Sequence, residues 1–334
     1  MQKVRYGIIG MGFFGEKHAE VLSDLPGVEL TAVCTRRPDR LKEIAERFKV
    51  PKAYPDYRQL LADPEIDAVS IVTHLNAHRQ IAIEALKAGK HVLLEKPMAG
   101  TVADCDAIIQ AAGRAKGVFM VGHICRFDSR VAQAKQAVEE GRIGAIVSMH
   151  AARNLPAAIG AGVLDKISPL IGDGIHDADI MLWLTRSRVK TVYAQNVRVR
   201  NFKHADIGWA LCRFDNDAVG VIETIWCLPD STPFSIDARM EIIGTKGAIY
   251  IDCGNAGLTI NDDQGIHKPD TVYWPLLFDK RTGVLRVELS YFVECAAAGR
   301  IPDIITAEES RAAVAVMCAA EESASTGRVV AMQN

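Results

Sequence analysis

Two stretches of the sequence carry side chains able to handle a proton and a developing charge on the same oxygen. In Ala88-Gly89-Lys90-His91-Val92-Leu93-Leu94-Glu95-Lys96-Pro97, Lys96 directly follows an apolar run of strand character. An ammonium there can donate hydrogen bonds to a substrate oxygen and stabilise the alkoxide-like charge that builds during hydride transfer. Pro97 fixes the following backbone, and Glu95 can orient the lysine. The other stretch is Asp173-Gly174-Ile175-His176-Asp177-Ala178-Asp179. Imidazole, with an unperturbed pKa of about 6.5, accepts an alcohol proton near neutral pH and returns it in reduction. Helical spacing puts Asp173 and His176 on adjacent turns of one face. Read from residue type alone, Lys96 also fits an exposed loop cation, His176 a structural histidine and Asp173 a helix N-cap.

Removing hydride from carbon requires an acceptor, and the chain opens with a motif that could hold one. Tyr6-Gly7-Ile8-Ile9 leads into Gly10-Met11-Gly12-Phe13-Phe14-Gly15, a G-x-G-x-x-G between a strand pattern and a helix pattern. Gly10 permits a tight turn, Gly12 lets the backbone approach a pyrophosphate, and Gly15 allows close helix packing. The helix N-terminus then offers free N–H groups to the phosphates. About twenty residues on, where a ribose-binding acid is expected, the sequence reads Cys34-Thr35-Arg36-Arg37. Thr35 can hydrogen-bond a 2′-phosphate and Arg36 or Arg37 can pair with it, so NADP(H) is favoured and NAD(H) remains possible.

The elements that must position these residues follow two grammars. Up to residue 122, short apolar runs (Arg5–Ile9, Val28–Cys34, Asp67–Val72, His91–Leu94, Val118–Val121) alternate with helical patterns, as in βαβ units building a parallel sheet. Beyond residue 143 period-two segments predominate, with hairpin turns at Asp215-Asn216-Asp217 and Gly244-Thr245-Lys246-Gly247. Thr306 and Glu309 form a capping-box pattern ahead of an alanine-rich helix that Gly327 can end. These patterns predict an α/β protein. Residues 1–122 form an NAD(P)-binding Rossmann domain, and residues 123–334 a substrate-binding and oligomerisation α+β domain with a large, mostly antiparallel open sheet.

Composition narrows the classes further. A formal charge of −2 with no basic stripe removes the electrostatic term that drives nucleic-acid binding. The eight cysteines are scattered without a Cys-x-x-Cys pair, and no ligand cluster suggests a metal. With no charged leader and no apolar run long enough to span a bilayer, a cytoplasmic protein without a membrane partner is expected.

The glycine loop, Glu95-Lys96-Pro97 with its preceding Ala-Gly-Lys-His, and Gly174-x-His176-x-x-Asp179 together resemble the glucose-fructose oxidoreductase, inositol dehydrogenase and rhizopine-catabolism (Gfo/Idh/MocA) family. His78 after Thr73, Arg126-Phe127 after Gly122 and Glu241-Ile242-Ile243-Gly244-x-x-Gly247 extend the resemblance over nearly the whole chain. It implies that Lys96 contacts substrate and nicotinamide while His176 takes the hydroxyl proton. The substrate implied is a sugar, cyclitol or sugar derivative. On the cofactor side it brings in Phe13, Phe14, Thr73, His74, His78, Glu95, Pro97 and Arg126; His123 and Arg153 join Asp173 and His176 as substrate candidates. A homodimer or homotetramer built through the open sheet face is also implied, with Trp209, Trp226, Tyr250 and Trp274 as candidates for that face and core packing as their alternative. The chain departs from the family at Gly172, where an acid is usual four residues before the histidine, at His74-Leu75 in place of Pro-Asn, and at His123-Ile124-Cys125. Specificity is expected in the loops between Asn154 and Leu170, with Lys166 and His204 as further polar candidates. A dinucleotide-bound sensor without activity and a reductase of an imine or unsaturated substrate are the rival readings.

Overall fold

The computed structural model describes residues 3–252 and 257–332, so Cys253 lies outside the described residues. In chain order it contains β1 (Val4–Ile9), α1 (Phe13–Leu22), β2 (Val28–Cys34), α2 (Pro38–Arg47), β3 (Lys52–Tyr54), α3 (Tyr57–Ala62), β4 (Ala68–Ile71), α4 (Leu75–Lys87), β5 (His91–Glu95), α5 (Val102–Ala112) and β6 (Phe119–Gly122). There follow α6 (Ser129–Glu139), β7 (Ile146–Pro156), α7 (Ala157–Ala161), α8 (Ile175–Thr185), β8 (Val189–Val197), β9 (Ile207–Phe214), β10 (Val219–Leu228), β11 (Asp237–Gly244) and β12 (Ala248–Asp252). Two small hairpins, β13 (Ile260–Asp262) with β14 (Gly265–His267) and β15 (Leu276–Leu277) with β16 (Lys280–Arg281), precede α9 (Val284–Ala298), α10 (Ala307–Thr326) and β17 (Val330–Ala331). Two compact units result. The first takes the chain up to Phe127 together with Tyr273–Arg311, and the second takes Asp128–Val272 and the chain from Ala312 onward.

The first unit is a parallel six-stranded sheet in the order β3-β2-β1-β4-β5-β6. Strand order reverses at β1, which pairs with β2 on one side and β4 on the other, and doubly wound sheets bind ligands at the carboxyl ends beside such a reversal. β3 was not legible in the sequence, because three residues, none of them buried, make no periodic run. Residues 273–311 belong here rather than with the rest of the region after residue 123. Their helix α9 lies against β1 and α1, with Phe292 edge-on to Tyr6 at a centroid distance of 6.2 Å. The hairpin before it is pinned to α1 by an Arg281–Glu20 ion pair and to the turn after α1 by Lys280–Asp24. The capping box forms as expected: Glu309 N–H donates to Thr306 Oγ1 at 3.1 Å, and Thr306 N–H donates to a Glu309 carboxylate oxygen at 3.0 Å.

The second unit is built on a seven-stranded sheet, β12-β11-β7-β10-β9-β8-β17, in which only the β7–β10 pair is parallel. Both expected hairpins are present, β9–β10 and β11–β12. Alternation assigns the faces: Val192, Ala194, Ala210, Cys212, Ile222, Met240 and Ile242 are buried on one. Tyr193, Leu211, Val221, His150, Glu241 and Tyr250 run across the other as one row of paired residues. Trp209 and Tyr250 are exposed on that open face. Trp226 is not; it shares the parity of Ile222 and is 2% exposed, packed with Leu155 and Leu164. Trp274 lies in the first unit, edge-on to Phe13 and Phe14, so neither it nor Trp226 belongs to the open sheet face for which both were candidates. Among the described residues no helix is long and apolar enough to cross a membrane.

A buried polar chain ties the first unit's sheet to α1. Tyr6 Oη and Ser70 Oγ are 2.9 Å apart, Ser70 Oγ and His18 Nδ1 3.1 Å, and His18 Nε2 and Glu95 Oε1 3.2 Å. With one proton on the ring the donors all point one way: Tyr6 to Ser70, Ser70 to His18, His18 to the Glu95 carboxylate. Gly122 makes room for that carboxylate, since a Cβ there would stand 2.9 Å from Glu95 Oε1. On α9, Glu288 is fully buried, and neither carboxyl oxygen has a hydrogen-bond partner among the described residues. Burial, and then repulsion from Glu95, hold Glu288 well above the usual carboxyl range, so it keeps its proton.

Because Glu288 is raised in the folded protein, its contribution to stability is fully present below the unfolded value of about 4.3 and is lost as pH rises toward the folded value, at a slope approaching about 1.4 kcal/mol per pH unit. Glu288→Gln removes that loss. Melting curves of both proteins between pH 5 and pH 8 are expected to show the variant gaining on the wild type as pH rises; parallel curves would mean that Glu288 does not carry a trapped proton.

Candidate active site

The cofactor-side candidates hang from the carboxyl edge of the parallel sheet, each for a local reason. Gly10 has φ +103°, and a Cβ on it would lie 2.2 Å from the Val72 carbonyl oxygen, so only glycine lets the end of β1 pass the β4 loop. A Cβ on Gly15 would lie 1.9 Å from the Gly10 carbonyl oxygen, which is the helix-to-loop contact the motif demands. Gly12 differs: it caps α1 in extended backbone, and a Cβ there meets nothing within 4 Å. Its missing side chain is not required by the protein's own packing, so the cradle it borders fits a pyrophosphate seated on the α1 N-terminus. Phe13 is exposed beside it, with the Lys17 ammonium over its ring, while Phe14 packs on His18.

At the end of β2, Thr35 and Arg36 face solvent, wholly or in part. Arg37 instead turns back and donates to the Met11 carbonyl at 2.9 Å. Arg40, one turn further along α2, reaches the same carbonyl at 3.4 Å and pairs with Glu16. Sequence reading passed over Arg40, although its spacing from Arg36 and Arg37 puts it on their side of the helix. Cys34 is inert packing, its thiol pushed up to about 12 by burial and then by Asp56.

Thr73 and His74 start the α4 loop, with His74 exposed as the N-cap residue. His78 is buried beneath them; its ring nitrogens lie 2.9 Å from the Pro97 carbonyl and 3.1 Å from the Thr73 carbonyl. Desolvation lowers its pKa, and a neutral ring donates to one carbonyl at a time while bracing both loops. Lys96 leaves β5 half-buried, its own N–H donating to Glu95 Oε2 at 3.3 Å, so the buried chain from Tyr6 ends at the residue that carries the lysine. The Lys96–Pro97 peptide is cis. His123 is fully buried after β6. Arg126 is buried too, donating to the Ile304 carbonyl at 2.7 Å and to Glu309 at 3.0 Å.

In the second unit, His176 occupies the first turn of α8 and is 6% exposed. The buried Arg153 fork, on β7, grips Asp177 through Nε at 3.2 Å and Nη2 at 2.8 Å, tying the helix start to the sheet. Asn154 is likewise a sheet crosslink, donating to Glu223 at 2.7 Å and accepting from Ile225 N–H at 2.9 Å. Lys166 is exposed and His204 half-buried. Asp173 does not lie in α8 proper. Leu170–Gly174 is a π-helical turn running into α8, so the regular 100° step per residue does not set its direction. Its Oδ2 accepts from Trp226 Nε1 at 2.9 Å.

Comparison with known proteins finds relatives along nearly the whole chain. A family model described as "Oxidoreductase family, NAD-binding Rossmann fold" matches residues 4–123, and one described as "GFO/IDH/MocA C-terminal domain" matches residues 131–250. Myo-inositol 2-dehydrogenase of Thermotoga maritima is 30% identical over 99% of each chain. The scyllo-inositol 2-dehydrogenase (NAD(+)) of Bacillus subtilis is 28% identical over 90% of this chain and 88% of its own. A crystal structure of scyllo-inositol dehydrogenase from Lactobacillus casei, with bound NAD(H) and scyllo-inositol, has a TM-score of 0.86 over 99% of each chain at 24% identity, a likeness of fold.

The two glycines of the cradle are expected to separate packing from ligand clearance. Gly12→Ala should melt with the wild type yet lose at least about tenfold in dinucleotide affinity, whereas Gly15→Ala should lower the melting temperature because its Cβ meets backbone. Fluorescence titration with NADH beside thermal melts checks both; wild-type affinity in Gly12→Ala would remove the pyrophosphate from that position.

Proposed function

The chain belongs to the Gfo/Idh/MocA oxidoreductase family, and from that premise we propose that it is an NAD(P)-dependent dehydrogenase acting on a secondary alcohol of a cyclitol or related sugar-type polyol. The observation that carries the reading is the glycine cradle, clear at Gly12, on the same carboxyl edge as Lys96 two strands away. Bound NAD(P)+ supplies the hydride acceptor. Lys96 donates hydrogen bonds to the substrate oxygen and stabilises the charge that grows on it. His176 accepts the hydroxyl proton, leaving a ketone, and returns it in the reverse direction. Asp173 orients the imidazole, while Arg153 acts at one remove by holding Asp177 at the start of α8. Since Arg126 and His78 are buried and braced on backbone carbonyls, they serve this site by shaping its loops.

NADP(H) is the favoured cofactor in this reading. Thr35 and Arg36 are available to a 2′-phosphate, and positions 35–37, directly after β2, hold no carboxylate. Arg37 and Arg40 add positive charge at the glycine loop through the Met11 carbonyl. The open face of the second sheet, with Tyr193, Trp209, Leu211 and Tyr250 exposed, suits a homodimer or homotetramer. The thiols of Cys34, Cys212, Cys227 and Cys295 carry no disulfide, which fits a reducing, cytoplasmic setting.

The test is a fluorescence titration with NADPH and NADH followed by a polyol screen. NADPH is expected to bind more tightly, and Arg36→Ala to cost about tenfold of that preference. Stronger NADH binding would sink the phosphate assignment and leave the dehydrogenase standing. Lys96→Met and His176→Ala should each lower kcat by about 10²–10⁴-fold, with dinucleotide still bound by His176→Ala. Tight dinucleotide binding without turnover of any polyol would point to a sensor instead.

A further inference from the structure

Asp173 accepts a hydrogen bond from a side chain that also governs what can stand beside it. Trp226 lies near the end of β10, where the pairing with β7 slips: Ile225 faces Asn154, but Leu228 faces Pro156, so Trp226 and Cys227 together oppose Leu155. Trp226 itself keeps the parity of Ile222 and Thr224, whose side chains lie against Gly174 of the π-helical turn, so its indole points to the same side of the sheet. The residue is anchored from several directions. Its N–H donates to the Asp206 carbonyl at 2.9 Å, and its carbonyl accepts from Arg200 Nη2 at 2.6 Å. The ring packs with Leu155 and Leu164, and Gly160 passes close enough that a Cβ there would stand 2.4 Å from the Trp226 carbonyl oxygen.

Against this fixed ring, Gly172 has no room for a side chain: its Cβ would lie 2.6 Å from Trp226 Cη2 and 2.9 Å from Cζ2. Position 172 is thus barred to an acid by the same indole whose Nε1–H holds the acid at position 173. A buried tryptophan N–H needs an acceptor, and a carboxylate that accepts a fixed donor loses rotamer freedom.

We propose that Trp226 is a positioning residue, its indole N–H aiming the Asp173 carboxylate and its ring excluding an acid from position 172. This rests on the reading of His176 as the proton acceptor and of Asp173 as the carboxylate that orients it. The contact and the catalytic use of it are separable, and the test reads each.

The contact is read by the indole N–H resonance of Trp226 in the full-length ¹⁵N-labelled protein, assigned by its loss in Trp226→Phe or, should that variant fail to fold, in Trp226→His. The resonance is expected to move in Asp173→Asn. A resonance indifferent to Asp173 overturns the proposal whatever the substrate is. The use is read by a kinetic cycle of Trp226→Phe, Asp173→Asn and the double variant with a turned-over polyol. Trp226→Phe is expected to lower kcat by about tenfold to a hundredfold with KM little changed, and to displace the pH profile of kcat as Asp173→Asn does. The double variant should be no worse than Asp173→Asn alone. Effects that multiply would make Trp226 a packing residue and overturn the proposal. If His176→Ala and Asp173→Asn both keep full turnover, it is the assignment of the proton acceptor and its orienting carboxylate that fails, and the aiming role falls with it even where the resonance shows the contact.

Discussion

Parallel pairing constrains the first unit more than any other interaction in it. Once β1 pairs in the same direction with β2 and β4, and the chain extends outward from both, the carboxyl ends of six strands meet at one edge, and each connection must cross back over a face of the sheet. The glycine loop, the Thr35–Arg37 stretch, Thr73, Lys96 and His123 then share that edge without any contact among them having to arrange it. What the contacts do is fix spacing to within a side chain. Gly10 lets β1 end against Val72, and Gly15 lets α1 start against Gly10, because in both places a Cβ would stand inside the radius of a carbonyl oxygen.

The polar groups beneath the edge carry the cost of that order. Tyr6, Ser70, His18 and Glu95 are buried, and each would be destabilising alone; joined end to end they satisfy one another and finish on the N–H of Lys96. Glu288 stands outside that chain. It sits in the same interior without a partner among the described residues, and neutrality is the state that makes its burial tolerable.

The second unit answers a different constraint, a sheet with one wet face. Parity along each strand decides which residues enter the core, and a bulge is the means of breaking parity locally. Near Trp226 the bulge on β10, the missing side chain at Gly172 and the π-helical turn meet, so three departures from regular structure surround one hydrogen bond to Asp173. Irregular backbone clustering in this way at a candidate site is where regular sequence patterns should be expected to fail.

By itself the sequence determined the two sheet types, most strand and helix positions, the hairpins, the capping box at Thr306 and the placement of Lys96 and the glycine motif at strand ends. These follow from local periodicity and from residues such as glycine whose conformational demands are local. Parity along β10 would also have placed Trp226 in the core rather than on the open face. Only the tertiary structure decided what the polar residues touch. Arg37 turns back to Met11, Arg153 is taken by Asp177, Asn154 crosslinks strands and His78 braces two loops, all through partners distant in sequence or across a turn of backbone. The return of residues 273–311 to the first unit and the burial of Glu288 were hidden for the same reason: a helix pattern announces that a face will be buried, while which sheet buries it depends on chain segments far away.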